Sequence, residues 1–209
     1  MSRKKTRPGN QTKKKRIRRK VIAIAAVVII IAVLLFAFRE REIINKIEEQ
    51  SYPLEYQEYV MEAAEKYDLD PALIFAIIHT ESRFDPQAVS PANAMGLMQI
   101  TRDTFFFVNE KDSRGDLAVE LLFDPEVNID TGSYFIRWLI DDMGDRDTAI
   151  AAYNAGRGNV KKWLGDSRYS ADGVTLYDIP YKETKNYVQK VNSAYEFYKQ
   201  HYFSDDNQK

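Results

Sequence analysis

The stretch Asp70-Pro71-Ala72-Leu73-Ile74-Phe75-Ala76-Ile77-Ile78-His79-Thr80-Glu81 decides how the rest of the chain is read. Asp70 is a strong N-cap residue and Pro71 is pre-shaped for the first helical position, so a helix is expected over 70–81. Leu73, Ile74, Ile77 and Ile78 recur at three- and four-residue spacing and form its apolar stripe. The next place on that stripe is Glu81. A carboxyl group on the core side of a helix is costly to bury unless the molecule uses it. Against Ile77, Ile78 and Phe84 it would lose solvation, which raises its pKa and keeps its proton nearer neutrality, as general acid catalysis requires. The structural alternative is an interfacial glutamate that reaches outward or pairs with Arg83.

On either side of this helix, from residue 56 onward, the chain reads as helix after helix. Helical periodicity places elements at 56–67, with Tyr59, Val60, Ala63, Ala64 and Tyr67 on one face, and at 128–143, with Ile129, Gly132, Ile136, Leu139, Ile140 and Met143. Shorter helices are expected at 146–154 and 159–164, and a long one at 182–199 carrying Tyr187, Val188, Val191, Tyr195 and Tyr198. Strand alternation is absent. The fold class expected is an all-α domain with at most a minor β element.

The N-terminal end is of a different kind. Residues 1–20 carry eleven Lys or Arg and no acid, and residues 21–38 are eighteen consecutive apolar residues. That run would reach about 27 Å as a helix, close to the hydrocarbon thickness of a bilayer. It is longer than the apolar core of a cleaved signal peptide, and no A-x-A-like site stands at Phe36-Ala37-Phe38. With no cysteine in the chain, a lipid-modified cysteine anchor is excluded. The formal net charge of −1 hides a split: beyond the tail, 19 basic residues face 31 acidic ones. The positive-inside rule then keeps residues 1–20 in the cytoplasm and sends residues 39 onward across a bacterial cytoplasmic membrane. The division expected is a basic tail at 1–20, a transmembrane anchor at 21–38, a charged stalk at 39–55, a catalytic domain at 56–203 and a polar tail at 204–209. Nucleic acid is not expected as a partner, because the basic tail lacks aromatics and any binding motif. His79 and His201 are the only histidines, too few for a convincing metal site, and no nucleotide-binding motif appears. No metal and no cofactor are expected.

Two further stretches join Glu81-Ser82. One is Ser90-Pro91-Ala92-Asn93-Ala94-Met95-Gly96-Leu97-Met98-Gln99-Ile100, in which a glutamine interrupts an apolar run; its amide can read a sugar hydroxyl or be satisfied by backbone. The other is Ala152-Tyr153-Asn154-Ala155-Gly156, which has an ordinary helix-ending explanation as well as a functional one. In this order and spacing they resemble the lytic transglycosylase family, whose fold is like that of goose-type lysozyme. Leu122-Phe123-Asp124-Pro125-Glu126-Val127-Asn128-Ile129 with Gly132, then Gly158, Val160 and Trp163, and finally Ile179-Pro180-Tyr181-Lys182-Glu183-Thr184-Lys185-Asn186-Tyr187-Val188 extend the resemblance over residues 56–200.

The resemblance implies a lysozyme-like helical domain that cuts the β-1,4 bond between N-acetylmuramic acid and N-acetylglucosamine in peptidoglycan, without water, leaving 1,6-anhydromuramoyl ends. It implies Glu81 as the single acid/base. It assigns Ser90 to a sugar contact near the scissile bond, Met98 and Gln99 to the lining of the saccharide groove, and Tyr153 and Asn154 to the wall facing the acid. Glu183 and Tyr187, four apart on one helix face, would complete the cleft, while Ser82 would support local structure. The partners implied are glycan strands, the membrane through residues 21–38, and an envelope assembly. The rivals are a hydrolytic muramidase on the same scaffold and a catalytically idle glycan-binding module. The sequence departs from the family where Asn93 replaces a usual Gly, a residue that still tolerates positive φ, and where Thr101-Arg102 replaces a usual Met-Pro. Phe105-Phe106-Phe107 is expected to serve core packing.

Overall fold

The computed structural model describes residues 9–204 of the chain, and within the N-terminal stretch it leaves some side chains undescribed. It divides into two units, Met1–Pro53 and Leu54–Lys209. The first unit contains α1, Gly9–Ser51, a helix of 43 residues. Along it Val27, Val28, Ile29, Ile30, Ile31, Val33, Leu34, Leu35, Phe36 and Phe38 are all exposed. Among the described residues no helix is long and apolar enough to cross a membrane. The run at 21–38 lies partly outside them, since the side chains of residues 21 and 23–26 are not described; residues 1–8 and 205–209 lie outside them altogether.

The second unit is helical throughout: α2 Gln57–Tyr67, α3 Pro71–Glu81, α4 Arg102–Lys111, a 3-10 turn at Val119–Phe123, α5 Pro125–Met143, α6 Arg146–Ala155, α7 Arg157–Leu164 and α8 Lys182–His201. Its described residues contain no strand; the minor β element is two isolated bridges, Val89 to Met95 and Met95 to Ile100. Asp70 caps α3 as its sequence predicts, its carboxylate accepting from Ala72 N at 3.0 Å with Pro71 in the first turn. The same Asp-Pro device recurs at Asp124-Pro125, where the aspartate accepts from Val127 N at 3.1 Å. The helix expected at 128–143 therefore starts three residues earlier. Periodicity does not predict helix α4; Thr101 caps it, accepting from Thr104 N at 3.2 Å.

The apolar stripe of α3 turns out to be too narrow a description. All seven residues from Ala72 to Ile78 are buried, so this helix is the centre of the unit rather than an amphipathic wall. Ile74, Ile77 and Ile78 are fully removed from water, each worth roughly 1.5–3 kcal/mol of burial. Helix α8 packs along α3, with Tyr198 and Phe75 rings stacked at 5.2 Å. Tyr195 donates to the Asp70 carboxylate at 3.0 Å and Lys199 pairs with it. Helix α5 packs on α2 and α6, and α6 touches both α7 and α8. The end of α3 thus meets α8 and the segment between α3 and α4.

Candidate active site

Glu81 occupies the last turn of α3, and the residues after it turn the chain sharply away. Arg83 and Phe84 both take left-handed conformations, φ 52° and 66°, which non-glycine residues seldom adopt. Phe84 is anchored in the core beside Phe75, ring centroids 6.2 Å apart. Ser82 gives its hydroxyl to Leu97 O at 2.8 Å, tying the helix end to the segment that runs to Ile100. Arg83 is exposed, and Glu81 makes no ion pair among the described residues. The structural alternative of a Glu81–Arg83 pair falls.

The segment Ser90–Ile100 is a tight loop with its own internal support. Ser90 N donates to Ala94 O at 3.0 Å, and Met95 and Ile100 exchange both backbone bonds at 3.0 Å. Asn93 (φ 57°), Gly96 (φ 75°) and Gln99 (φ 49°) supply the left-handed turns. Asn128 of α5 then staples the loop from below. Fully buried, it accepts from Met98 N at 2.8 Å and donates to Met95 O at 3.0 Å and Leu122 O at 2.7 Å. A Cβ on Gly96 would sit 2.2 Å from Asn128 Nδ2, and one on Gly132 would sit 2.4 Å from Met98 Sδ, so both must be glycine for the loop to lie down on α5.

Two tyrosines close over the acid. Tyr187 of α8 donates to Glu81 Oε1 at 2.6 Å. Tyr153 of α6 donates to Met98 O at 2.8 Å, and its ring stays close enough to feel the Glu81 charge. Burial pushes the Glu81 carboxyl up to about 7, and the Tyr187 hydroxyl, by stabilising the carboxylate, holds it from going higher. No second carboxylate among the described residues bears on that proton. Burial and the Glu81 charge raise both tyrosines well above their ordinary range, so they remain hydroxyl donors at any physiological pH. A lone carboxyl that is half protonated near neutrality and held by a neutral donor can give and retake a proton.

Residues 58–175 match the transglycosylase SLT domain, more than half of the chain. The chain belongs to this family. A soluble lytic murein transglycosylase of Salmonella typhimurium is 35% identical over 157 residues, covering 74% of this chain and 24% of that protein. A membrane-bound lytic murein transglycosylase C of Pectobacterium atrosepticum is 34% identical over 169 residues, covering 69% of this chain and 46% of its own. The chain therefore spans a quarter to a half of the length of these curated relatives. Among solved structures, an inactive Glu-to-Gln mutant of lytic transglycosylase Slt from Pseudomonas aeruginosa superposes with a TM-score of 0.65 at 35% identity, over 71% of this chain and 24% of that one. The lysozyme-like helical fold is thus that of the SLT domain.

Within the helical unit the expected site residues fall into three groups. Glu81, Tyr153 and Tyr187 converge, and Ser82 takes the supporting place expected of it. Asn154 is half-buried at the end of α6 beside Tyr153, and Glu183 is exposed in the first turn of α8, one turn before Tyr187. Ser90, Gln99 and Met98 are tied into the loop. Ser90 Oγ accepts from Ala94 N at 3.1 Å, leaving its hydroxyl proton free to donate. Gln99 Nε2 donates to Ala88 O at 3.0 Å and Gly96 O at 2.9 Å, so only its carbonyl oxygen remains for a ligand. Met98 is a correction. Its side chain is fully buried on Gly132 and cannot line an open groove; it serves the site through its carbonyl, which positions Tyr153. Asn128 carries the loop, and its role is not readable from residue type, since its partners stand up to 33 positions away.

Proposed function

We propose that this protein is a membrane-anchored peptidoglycan lytic transglycosylase that cleaves the bond between N-acetylmuramic acid and N-acetylglucosamine and leaves 1,6-anhydromuramoyl ends. The observation that carries the reading is the desolvated Glu81 carboxyl at about 7 with a single neutral partner, Tyr187. In its protonated form Glu81 gives its proton to the glycosidic oxygen, and the C1–O bond breaks. The sugar's own acetamido oxygen shares the positive charge at C1. The carboxylate left behind, held by the Tyr187 hydroxyl, then accepts the proton of the C6 hydroxyl as O6 bonds to C1. The proton is returned to Glu81 and no water is consumed. Tethering the nucleophile within the same sugar supplies the entropic advantage that a second carboxylate or a bound water would otherwise have to provide. Ser90, Gln99, Asn154 and Glu183 are the groups proposed to hold the strand about this centre.

The named relatives, one soluble and one membrane-bound, support murein as substrate, and the apolar run at 21–38 supports the anchor. In this reading residues 1–20 stay in the cytoplasm, 39–55 form a stalk, and the domain at 56–203 works on the cell-wall side. Digestion of peptidoglycan in H2¹⁸O tests the chemistry. Anhydromuramoyl ends free of the label are expected, and labelled reducing ends would show a hydrolytic muramidase instead. Recovery of the protein from washed membranes with its N-terminus intact is expected; a soluble form beginning near residue 38 would overturn the anchor.

A further inference from the structure

Seven arginines stand in the helical unit, and six of them find a partner within it. Arg114, Arg137, Arg146, Arg157 and Arg168 each pair with an aspartate carboxylate. The Arg102 guanidinium lies 5.3 Å from the centre of the Phe106 ring. Arg83 has neither. Its side chain is exposed and meets no carboxylate, hydrogen-bond acceptor or ring among the described residues. Its charge is not spent on the acid either, since the Glu81 proton answers to burial and to Tyr187 alone.

The place of this arginine is as unusual as its isolation. At φ 52° it holds a left-handed conformation that glycine takes without strain and a residue with a Cβ seldom takes. Phe84 and Gln99, also left-handed, spend their side chains on the core and on backbone carbonyls. Arg83 holds a long charged side chain in the same conformation with no partner inside the fold. Its backbone is pinned on both sides. Before it, Ser82 gives its N–H to Ile78 O at 3.0 Å and its hydroxyl to Leu97 O at 2.8 Å. After it, Phe84 is buried and Asp85 N donates back to Ser82 O at 3.2 Å. A guanidinium is thus mounted on a fixed turn two residues from the acid, where the end of α3 is tied to the Ser90–Ile100 loop. The five paired arginines show what this group takes in the domain, a carboxylate, which its planar fork of donors matches in two-pronged fashion. Beyond residue 20, 19 basic residues face 31 acidic ones. The chain there repels an anionic ligand as a whole, and an unspent cation beside the acid counters that locally. Muramoyl sugars of peptidoglycan bear peptide stems with free carboxylates, so the substrate already proposed supplies the missing partner.

We propose that Arg83 is a specificity residue that binds a carboxylate of the peptide stem on the muramoyl sugar at the cleavage site. The proposal deepens the transglycosylase reading and rests on it. Its consequence is a preference for stem-bearing strands over strands stripped of their stems. The test uses the full-length protein in detergent micelles and measures kcat/KM on both substrates. Arg83→Met should lower the stem-bearing-to-stripped ratio about tenfold, the loss of one charge-assisted contact. Arg83→Lys, a point charge without the fork, should retain part of the ratio. Arg83→Gly separates side chain from backbone: it should melt no lower than wild type, because φ 52° suits glycine, and should lose as much of the ratio as Arg83→Met. In a Glu81→Gln background, adding Arg83→Met should weaken binding of stem-bearing strands about tenfold, and this arm reports on Arg83 even if wild-type cleavage proves hydrolytic or absent. A wild-type enzyme indifferent to stems overturns the proposal. So does an equal loss on both substrates with a lowered melting temperature, which would make Arg83 only a cation steadying the C-terminal end of α3. Unchanged affinity for stem-bearing strands in the double variant overturns it as well.

Discussion

Two carboxylates of this domain each receive a tyrosine hydroxyl at nearly the same distance, Glu81 from Tyr187 at 2.6 Å and Asp130 from Tyr67 at 2.7 Å. Their settings are otherwise opposite. Asp130 stands on α5 and pairs with Arg114 at 2.6 Å and with Lys66 of α2 at 2.7 Å, and Arg114 also donates to Tyr67 and Thr131. Two cations and a hydroxyl meet on it and tie α2 to α5, and burial pushes the neighbouring Tyr67 hydroxyl up to about 12. Glu81 has the apolar end of α3 behind it and no cation among the described residues to stabilise its charge. A tyrosine hydroxyl alone therefore does not make a catalytic carboxyl. What sets Glu81 apart is that no cation among the described residues offsets its burial, which leaves the proton poorly held in either direction near neutral pH and suits the acid/base role proposed for it.

This contrast is tested most decisively at Glu81. Replacing it by Gln keeps the shape and the Tyr187 bond but removes the transferable proton, and release of anhydromuropeptides should fall by at least roughly 10²–10⁴-fold. Stability should move the other way. The folded pKa of about 7 lies above the ordinary 4.5, so the stability Glu81 offers is full below pH 4.5 and is lost as pH rises through 7. Glu81→Gln escapes that loss. It should match wild type at pH 4 and exceed it by up to about 3 kcal/mol above pH 8, read as melting temperature against pH. Next in size, Tyr187→Phe deletes the one group that lowers the Glu81 pKa. Turnover should fall roughly 10–100-fold, as for loss of a hydrogen bond to a charged group, and the alkaline limb of the pH–rate profile should shift upward. A Tyr187→Phe protein with normal rates and an unmoved alkaline limb would assign that hydroxyl to structure only.

At the other carboxylate the pattern should invert. Asp130→Asn should cost about 1–3 kcal/mol of stability in urea unfolding, because one of the two acceptor oxygens that Tyr67 and Arg114 use becomes an NH2 donor and the charge paired with Arg114 and Lys66 is lost, while activity per folded molecule is unchanged. The smallest effect is expected for Lys66→Met, since the Lys66 side chain is half exposed; its contribution to the same network should stay below about 1 kcal/mol.

Much of this contrast was legible in the chain and part of it was not. Asp70-Pro71 announced α3, and the place of Glu81 on its apolar side announced an acid in need of a reason, because both are local signals. The identical Asp124-Pro125 signal sat before α5 and shows that the boundary at 128 could have been drawn earlier from sequence. Residue type could not show that Met98 would turn inward, because that depends on Gly132 lying 34 positions away and leaving room for its sulfur. Nor could it show which of Ser90, Gln99 and Asn128 would face a ligand and which would satisfy backbone, since an amide or hydroxyl suits both tasks. The Phe105-Phe106-Phe107 run illustrates the same limit: one ring went to the core, one to the surface and one against Trp138 of another helix.

The bond between Tyr187 and Glu81 joins residues 106 positions apart, and Asp70 at the head of the same helix waits for Tyr195 and Lys199, 125 and 129 positions on. During synthesis the acid therefore emerges long before the helix that completes its surroundings. A nascent chain that has delivered α3 but not α8 lacks the Tyr187 hydroxyl that donates to Glu81 Oε1. Long-range closure of this kind is also slow relative to local helix formation. The surroundings of Glu81 are thus completed last, with α8, after the rest of the domain has been made.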